Sequence, residues 1–239
     1  MNLLGGRAGF NSVTFESEIH STTATRKGND ILVIKTIKEN KETKLDNFFH
    51  KIPFIRAYWI MLKIFFTKLS LLLLILCLSL SYLIHKIPLL SATNNSYHFS
   101  FTWLIPLLLI IFFNKFTKTK YYHGAEHKVA NDYEINGKVK IETAINQSCV
   151  NDNCGTNLFV GLVLIIGILF PLLHYWSGVL AWGLNYEVMR SDNKFARVIV
   201  KPIYFVGSLL QKYVFTREPS IDQLEVAVRA FRALEEENY

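Results

Sequence analysis

The segment Tyr122-His123-Gly124-Ala125-Glu126-His127-Lys128 carries the spacing His-x-x-Glu-His. On an α-helix the first and last members of that pattern stand one turn apart on one face, where two imidazoles can share a metal ion. The glutamate inside such a motif is not a ligand. It acts as general base on a water that the metal activates, and a further ligand arrives from elsewhere in the chain. The spacing assigns His123 and His127 as ligands and Glu126 as the catalytic base, with zinc as the expected divalent metal. The competing reading is a solvated helix face on which the spacing is incidental, and Gly124 lowers helix propensity slightly.

Which groups complete the site depends on the elements around it. The chain has 239 residues, 51% hydrophobic and 19% charged, and the apolar residues are gathered in long runs. That distribution belongs to a membrane protein rather than a globular one. The start, Met1 to Asn11, lacks a basic region followed by an apolar one, so the runs are expected to stay in the mature protein. The net charge of +7 does not call for nucleic acid, because Lys and Arg flank the apolar runs, where lipid headgroups and the positive-inside rule account for them. Of three cysteines, Cys77 lies in an apolar run and Cys149 and Cys154 in a polar stretch, which suits reduced thiols.

Residues 1–50 read as an N-terminal cytoplasmic β element, with a strand at Asp30 to Lys38 after the turn Lys27-Gly28-Asn29. Residues 51–116 hold an interfacial helix at Ile52 to Phe66 and membrane segments at Leu69 to Ile84 and Phe101 to Phe113, the second short enough to be re-entrant. Residues 117–157 form a cytoplasmic loop with the His/Glu motif, both polar-stretch cysteines and an expected strand at Lys138 to Ala144. Residues 158–190 are too long for one straight span. Lysines 115, 118, 120, 128, 138 and 140 precede them and Arg190, Lys194, Arg197 and Lys201 follow, so a helical hairpin turning near His174 to Gly178 keeps both clusters on one side. Residues 191–239 hold an interfacial stretch at Val198 to Phe215 and a C-terminal helix starting at Ser220 or Asp222.

The expected fold class is thus a mainly α-helical membrane protein with four transmembrane or re-entrant helices, a small cytoplasmic β element and a C-terminal helix. It would be multi-pass in a bacterial inner membrane, with both termini cytoplasmic. The hairpin offers two more metal ligands at the depth of the motif, Cys154 before its descending helix and Glu187 near the end of the returning one. Glu187 has an alternative partner in Arg190, and Asp132 and Glu134 are expected to pair with surface lysines. His174, at the hairpin tip, falls on the wrong side.

The pattern resembles the YqhQ-like bacterial membrane proteins, an uncharacterised family described as predicted metal-dependent enzymes. The resemblance is carried by Gly5-Gly6, Pro53 to Arg56 (PFIR), YHGAEHK at Tyr122 to Lys128, Tyr133-Glu134, Cys154-Gly155-Thr156, Asn185 to Arg190 (NYEVMR), and TREP and QLEVA between Thr216 and Ala227. Two departures stand out. A family acidic position near the N-terminus is Asn11 here, and a His-Pro-Arg before the Cys-Gly-Thr is Asn151-Asp152-Asn153. A family His that could serve as ligand is therefore absent.

The residues point to a membrane-embedded metal-dependent hydrolase, peptidase-like, whose substrate is amphipathic, either membrane-linked or a juxtamembrane peptide. The alternative is a non-enzymatic scaffold with a structural His/Glu/Cys cluster, docking a protein partner through the β element and the C-terminal helix. A transporter is disfavoured, because the membrane segments carry few ionisable residues and no inverted repeat.

Overall fold

A computed structural model of the chain describes residues 3–38, 43–65, 79, 116–174, 176–191 and 193–236. The membrane segments expected at Leu69 to Ile84 and Phe101 to Phe113 lie outside these residues, Ser79 excepted. The chain opens with strands β1 (Leu3–Gly9), β2 (Ser12–Ser17), β3 (His20–Lys27) and β4 (Asp30–Ile37). Helices follow in the order α1 (Lys44–His50), α2 (Ile55–Phe65), α3 (Thr119–Asn136), the single turn α4 (Ile141–Ala144), α5 (Gly155–Leu173), α6 (Trp176–Arg190), α7 (Lys194–Leu210) with a π-helical extension Gln211–Phe215, and α8 (Ile221–Glu235).

The four strands form an antiparallel meander in sequence order. Its tight turns use the left-handed region at Asn11 (φ 56°) and Gly28 (φ 63°), where Asn and Gly are tolerated. The expected strand at Asp30 to Lys38 is β4, and three further strands precede it. Their Thr and Ser content obscured the alternation, yet Val13, Phe15 and Ala24 all reach the core. The sheet packs on α3 and α8, which supply Tyr122, Ala125 and Val129 and Leu224, Ala227 and Phe231. Phe231 meets Phe15 edge-on at 5.2 Å and lies 4.9 Å from Tyr133. Helix α8 starts as expected, with Ser220 as N-cap and a capping box closed by Gln223. The sheet also bonds to this helix, Thr22 donating to the Ala230 carbonyl at 2.7 Å and Lys35 to that of Ala233 at 2.7 Å.

The remaining helices make a second layer. Helices α5 and α6 form the hairpin, reversing at His174 (φ 46°). Helix α5 and the run Lys194–Phe215 are long and apolar enough to cross a membrane, and only 17% of the α5 window is buried against protein. The 15 residues of α6 span about 22 Å at about 1.5 Å each, short of a hydrocarbon core of about 30 Å. Helix α2 leans on α6, the Trp182 indole donating to the Ala57 carbonyl at 2.9 Å.

Two expected elements differ. Lys138 to Ala144 is not a strand: the Asp132 carboxylate accepts the Lys140 N–H and the Thr143 hydroxyl, and these local bonds wind the segment into α4. The stretch from Val198 belongs to a helix that starts at Lys194 behind an Asn193 cap and runs unbroken into the π segment.

Phe231 has no exposed surface and joins strand, helix and sheet aromatics. Phe231→Ala is expected to cost about 3–5 kcal/mol, read as a lowered denaturation midpoint of the detergent-solubilised chain.

Candidate metal centre

Helix α3 carries the His-x-x-Glu-His motif through the interior rather than along a solvated face. Glu126, His127 and Lys128 are 7%, 2% and 3% exposed. Close approach from both sides makes this burial. A Cβ on Gly6 of β1 would collide with the Glu126 carboxylate, and one on Gly124 would strike the Arg217 carbonyl. The second contact is rigid, because the Arg217 N–H donates to the Lys120 carbonyl at 3.0 Å. Gly124 is therefore there for close packing, not as a weak point in the helix.

The two imidazoles are held from behind. His127 Nδ1 lies 2.7 Å from the Cys149 carbonyl and His123 Nδ1 lies 3.2 Å from that of Phe215. A carbonyl only accepts, so each ring carries its proton on Nδ1 and leaves the Nε2 lone pair free. This is the arrangement that fixes metal-binding histidines. Burial pushes the His127 pKa down to about 3, and lowers that of His123, so both rings are neutral and able to ligate at physiological pH.

Cys154 completes the group. It is the N-cap of α5, its Sγ accepts the Thr156 N–H at 3.5 Å and lies 3.7 Å from His123 Nε2. The donor atoms of His123, His127 and Cys154 all fall within 4.8 Å of one another. Burial raises the thiol pKa, whereas a helix N-terminus and a divalent cation both favour the thiolate. The second cysteine is not part of this group: Cys149 packs behind Gly124, and burial pushes its thiol up to about 12.

Glu126 stands beside the three candidate ligands, its carboxylate 3.5 Å from His127 Nε2 and 4.0 Å from His123 Nε2. Burial pushes its pKa from 4.5 up to about 8. Glu187 is elsewhere. Its carboxylate takes the Arg56 guanidinium and the Phe54 N–H at 3.0 Å, tying the Pro53 to Arg56 motif to α6. Asp132 is no surface ion either: it is fully buried and accepts from Asn136, Lys140, Thr143 and Gln147.

A cavity of about 460 Å³ is lined by Leu3 to Gly6 of β1, by His123, Glu126, His127 and Cys154, and by Asn151 and Asn153. Asn151, where the resemblance expects a His, lines this cavity. Asn11 instead lies in the β1–β2 turn, and its carbonyl accepts the Arg26 N–H at 2.9 Å. Several positioning groups were not legible as such. Gln211, fully buried in the π segment, accepts the Asn151 N–H at 2.9 Å and so holds the loop that carries Cys154. Lys128 donates at 2.7 Å to the carbonyls of both Ile145 and Gln147 and pairs with Glu218. A Gln at the end of an apolar run was a usable signal; the carbonyl partners of the histidines had none.

The family model described as "Protein of unknown function (DUF1385)" matches residues 24–237. The chain belongs to this family. It is 34% identical over 148 residues to "Uncharacterized protein YqhQ" of Bacillus subtilis (strain 168), an alignment covering 55% of this chain and 46% of the relative. The chain thus spans about half the length of the curated relative it matches. No solved structure matches. The departures at Asn11 and Asn151 make this a divergent member of the YqhQ-like group.

A carboxyl with a folded pKa near 8 and an unfolded value of 4.5 is neutral in the folded state across that window but ionised once unfolded. Unfolding then releases a proton, so the metal-free protein loses stability as pH rises from about 4.5 to about 8. Glu126→Gln, which mimics the protonated form, is expected to raise the melting temperature of the metal-free protein at pH 8 and to give little gain at pH 5. Melting curves of both proteins with chelator present check this.

Proposed function

We propose that the protein is a membrane-embedded metal-dependent hydrolase acting at the cytoplasmic membrane surface on an amphipathic or membrane-linked substrate. The observation that carries this reading is the convergence of three donor atoms with a buried carboxyl that is not needed as a ligand, under one open cavity. The donor set fits a divalent transition metal, and zinc best. It has two neutral imidazoles with free Nε2 lone pairs and one thiol, and three protein ligands leave a coordination position open.

A bound zinc ion supplies Lewis-acid activation of water and of a substrate carbonyl. The chain's residues do the rest. His123, His127 and Cys154 would hold the ion, and Glu126 would take a proton from the attacking water and pass it to the leaving group. Its raised pKa suits that exchange near neutral pH. The carbonyls of Cys149 and Phe215 keep the imidazoles aimed.

Placement at the membrane is supported by how the apolar helices end. Cys154 caps the start of α5, and Phe215, which holds His123, closes the run from Lys194. Both apolar helices thus have an end at the site; with α5 and α6 as the hairpin that the charge argument requires, the run from Lys194 starts and ends on the cytoplasmic side and lies along the membrane surface. In this reading four segments cross or enter the bacterial inner membrane, and both termini lie in the cytoplasm.

A second reading, a scaffold that docks a protein partner, draws on β4, where Leu32, Ile34 and Ile37 are 46%, 51% and 73% exposed. Metal content together with activity separates the two, because a scaffold built on a structural metal would hold zinc without hydrolysing a substrate. Purified protein reconstituted with zinc is expected to hold about one equivalent, to lose it in His123→Ala and Cys154→Ala, and to keep it in Glu126→Gln, with hydrolysis falling about 10²–10⁴-fold in that last variant. No zinc in any sample would favour the scaffold.

A further inference from the structure

We infer that the substrate is a polypeptide segment bound in extended form, added as a strand to the edge of β1 with which no described strand pairs. The inference rests on the hydrolase reading and names the substrate class of that site.

Strand β1 pairs with β2 and, among the described residues, with no other strand. Leu4, Gly5, Gly6 and Arg7 are all exposed, Leu4 at 61%. In an antiparallel ladder every second residue of such an edge strand directs its N–H and C=O away from its partner, a template for another backbone. Edges are normally blunted by lysine, proline, a bulge or a covering element. Past its irregularity at Leu3/Gly5, the stretch of β1 beside the site has bare glycines, Gly5 and Gly6, and no second strand pairs with it among the described residues.

That stretch also lines the cavity, Leu3 to Gly6 sharing it with His123, Glu126, His127 and Cys154. Glu126 lies directly beneath Gly6. A strand added to β1 runs about 4.8 Å from it, within the cleft and alongside the His123, Glu126 and Cys154 side chains. Ladder bonds fix the depth and register of the incoming backbone, so a peptide carbonyl is presented to the ligands whatever the side chains. A sugar or a lipid headgroup has no repeat that matches this edge. The register shift between Leu3 and Gly5 interrupts the β1–β2 ladder, so the regular edge offered to a substrate runs from Gly5 to Gly9.

Hydrolysis in this geometry adds water across one amide bond. The water oxygen bonds to the carbonyl carbon, the C–N bond breaks, and one proton from that water goes to the departing nitrogen through Glu126. No redox partner is required.

The test uses the zinc-loaded full chain in detergent and a pool of sequence-randomised hexapeptides ending in a hydroxamate, a chelating group. A second pool is methylated at alternate backbone nitrogens, which removes ladder donors and leaves the chelator intact. The unmethylated pool is expected to be retained about tenfold more strongly and to slow amide exchange in β1. Equal retention of both pools, unchanged exchange in β1, or retention of neither pool by zinc-loaded protein would overturn strand addition while leaving the metal centre standing. A chain that takes up no zinc would overturn the hydrolase reading and this inference together.

Discussion

The structure is organised around the burial of an ionisable cluster in the middle of α3. A carboxyl, two imidazoles and a lysine withdrawn from water are costly unless each is neutral or bonded. The fold meets that constraint in three ways. Backbone without side chains closes on α3 at Gly6 and Gly124. Backbone carbonyls from Cys149 and Phe215 take the imidazole protons, and those of Ile145 and Gln147 take the Lys128 ammonium. Glu126 has no such partner and is left with a raised pKa. Glu126 lines the cavity together with the two imidazoles.

This constraint ties the layers together. The sheet and α8 exist, in energetic terms, to give α3 an apolar bed through Phe15, Phe231 and their neighbours. The polar side of α3 is closed by the loop 148–154 and the segment 215–218, which lead out of α4 and the π-helical turn. That loop runs into α5 and the π-helical turn comes at the end of α7, so each apolar helix connects directly to a candidate ligand or to the carbonyl behind one. π-helical turns often occur at functional sites, and here the turn brings the Phe215 carbonyl to His123.

Much of this was legible in the sequence for identifiable reasons. The motif spacing marked His123, Glu126 and His127, and proximity to the hairpin start marked Cys154, because helical periodicity and charge asymmetry are local signals. The C-terminal helix was legible from Ser220 or Asp222 at its start and from the run LEVAVRAFRAL. The β-meander was read only at its last strand, since alternating Thr and Ser hide which face is buried, and Thr22 is buried because it bonds to the Ala230 carbonyl. The turn at α4 was misread because the deciding group, Asp132, is 8 residues away from the backbone N–H it binds. Glu187 had a partner remote in sequence, Arg56, that charge spacing alone did not point to.

The central claim is that His123, His127 and Cys154 form a three-ligand centre with an open position and that Glu126 stays outside the coordination sphere. X-ray absorption at the zinc edge of the reconstituted protein tests this most directly. The account predicts two imidazole nitrogens at about 2.0–2.1 Å, one sulfur at about 2.3 Å and one light atom from solvent, unchanged in Glu126→Gln. A shell without sulfur, or one that loses an oxygen ligand in Glu126→Gln, would contradict it.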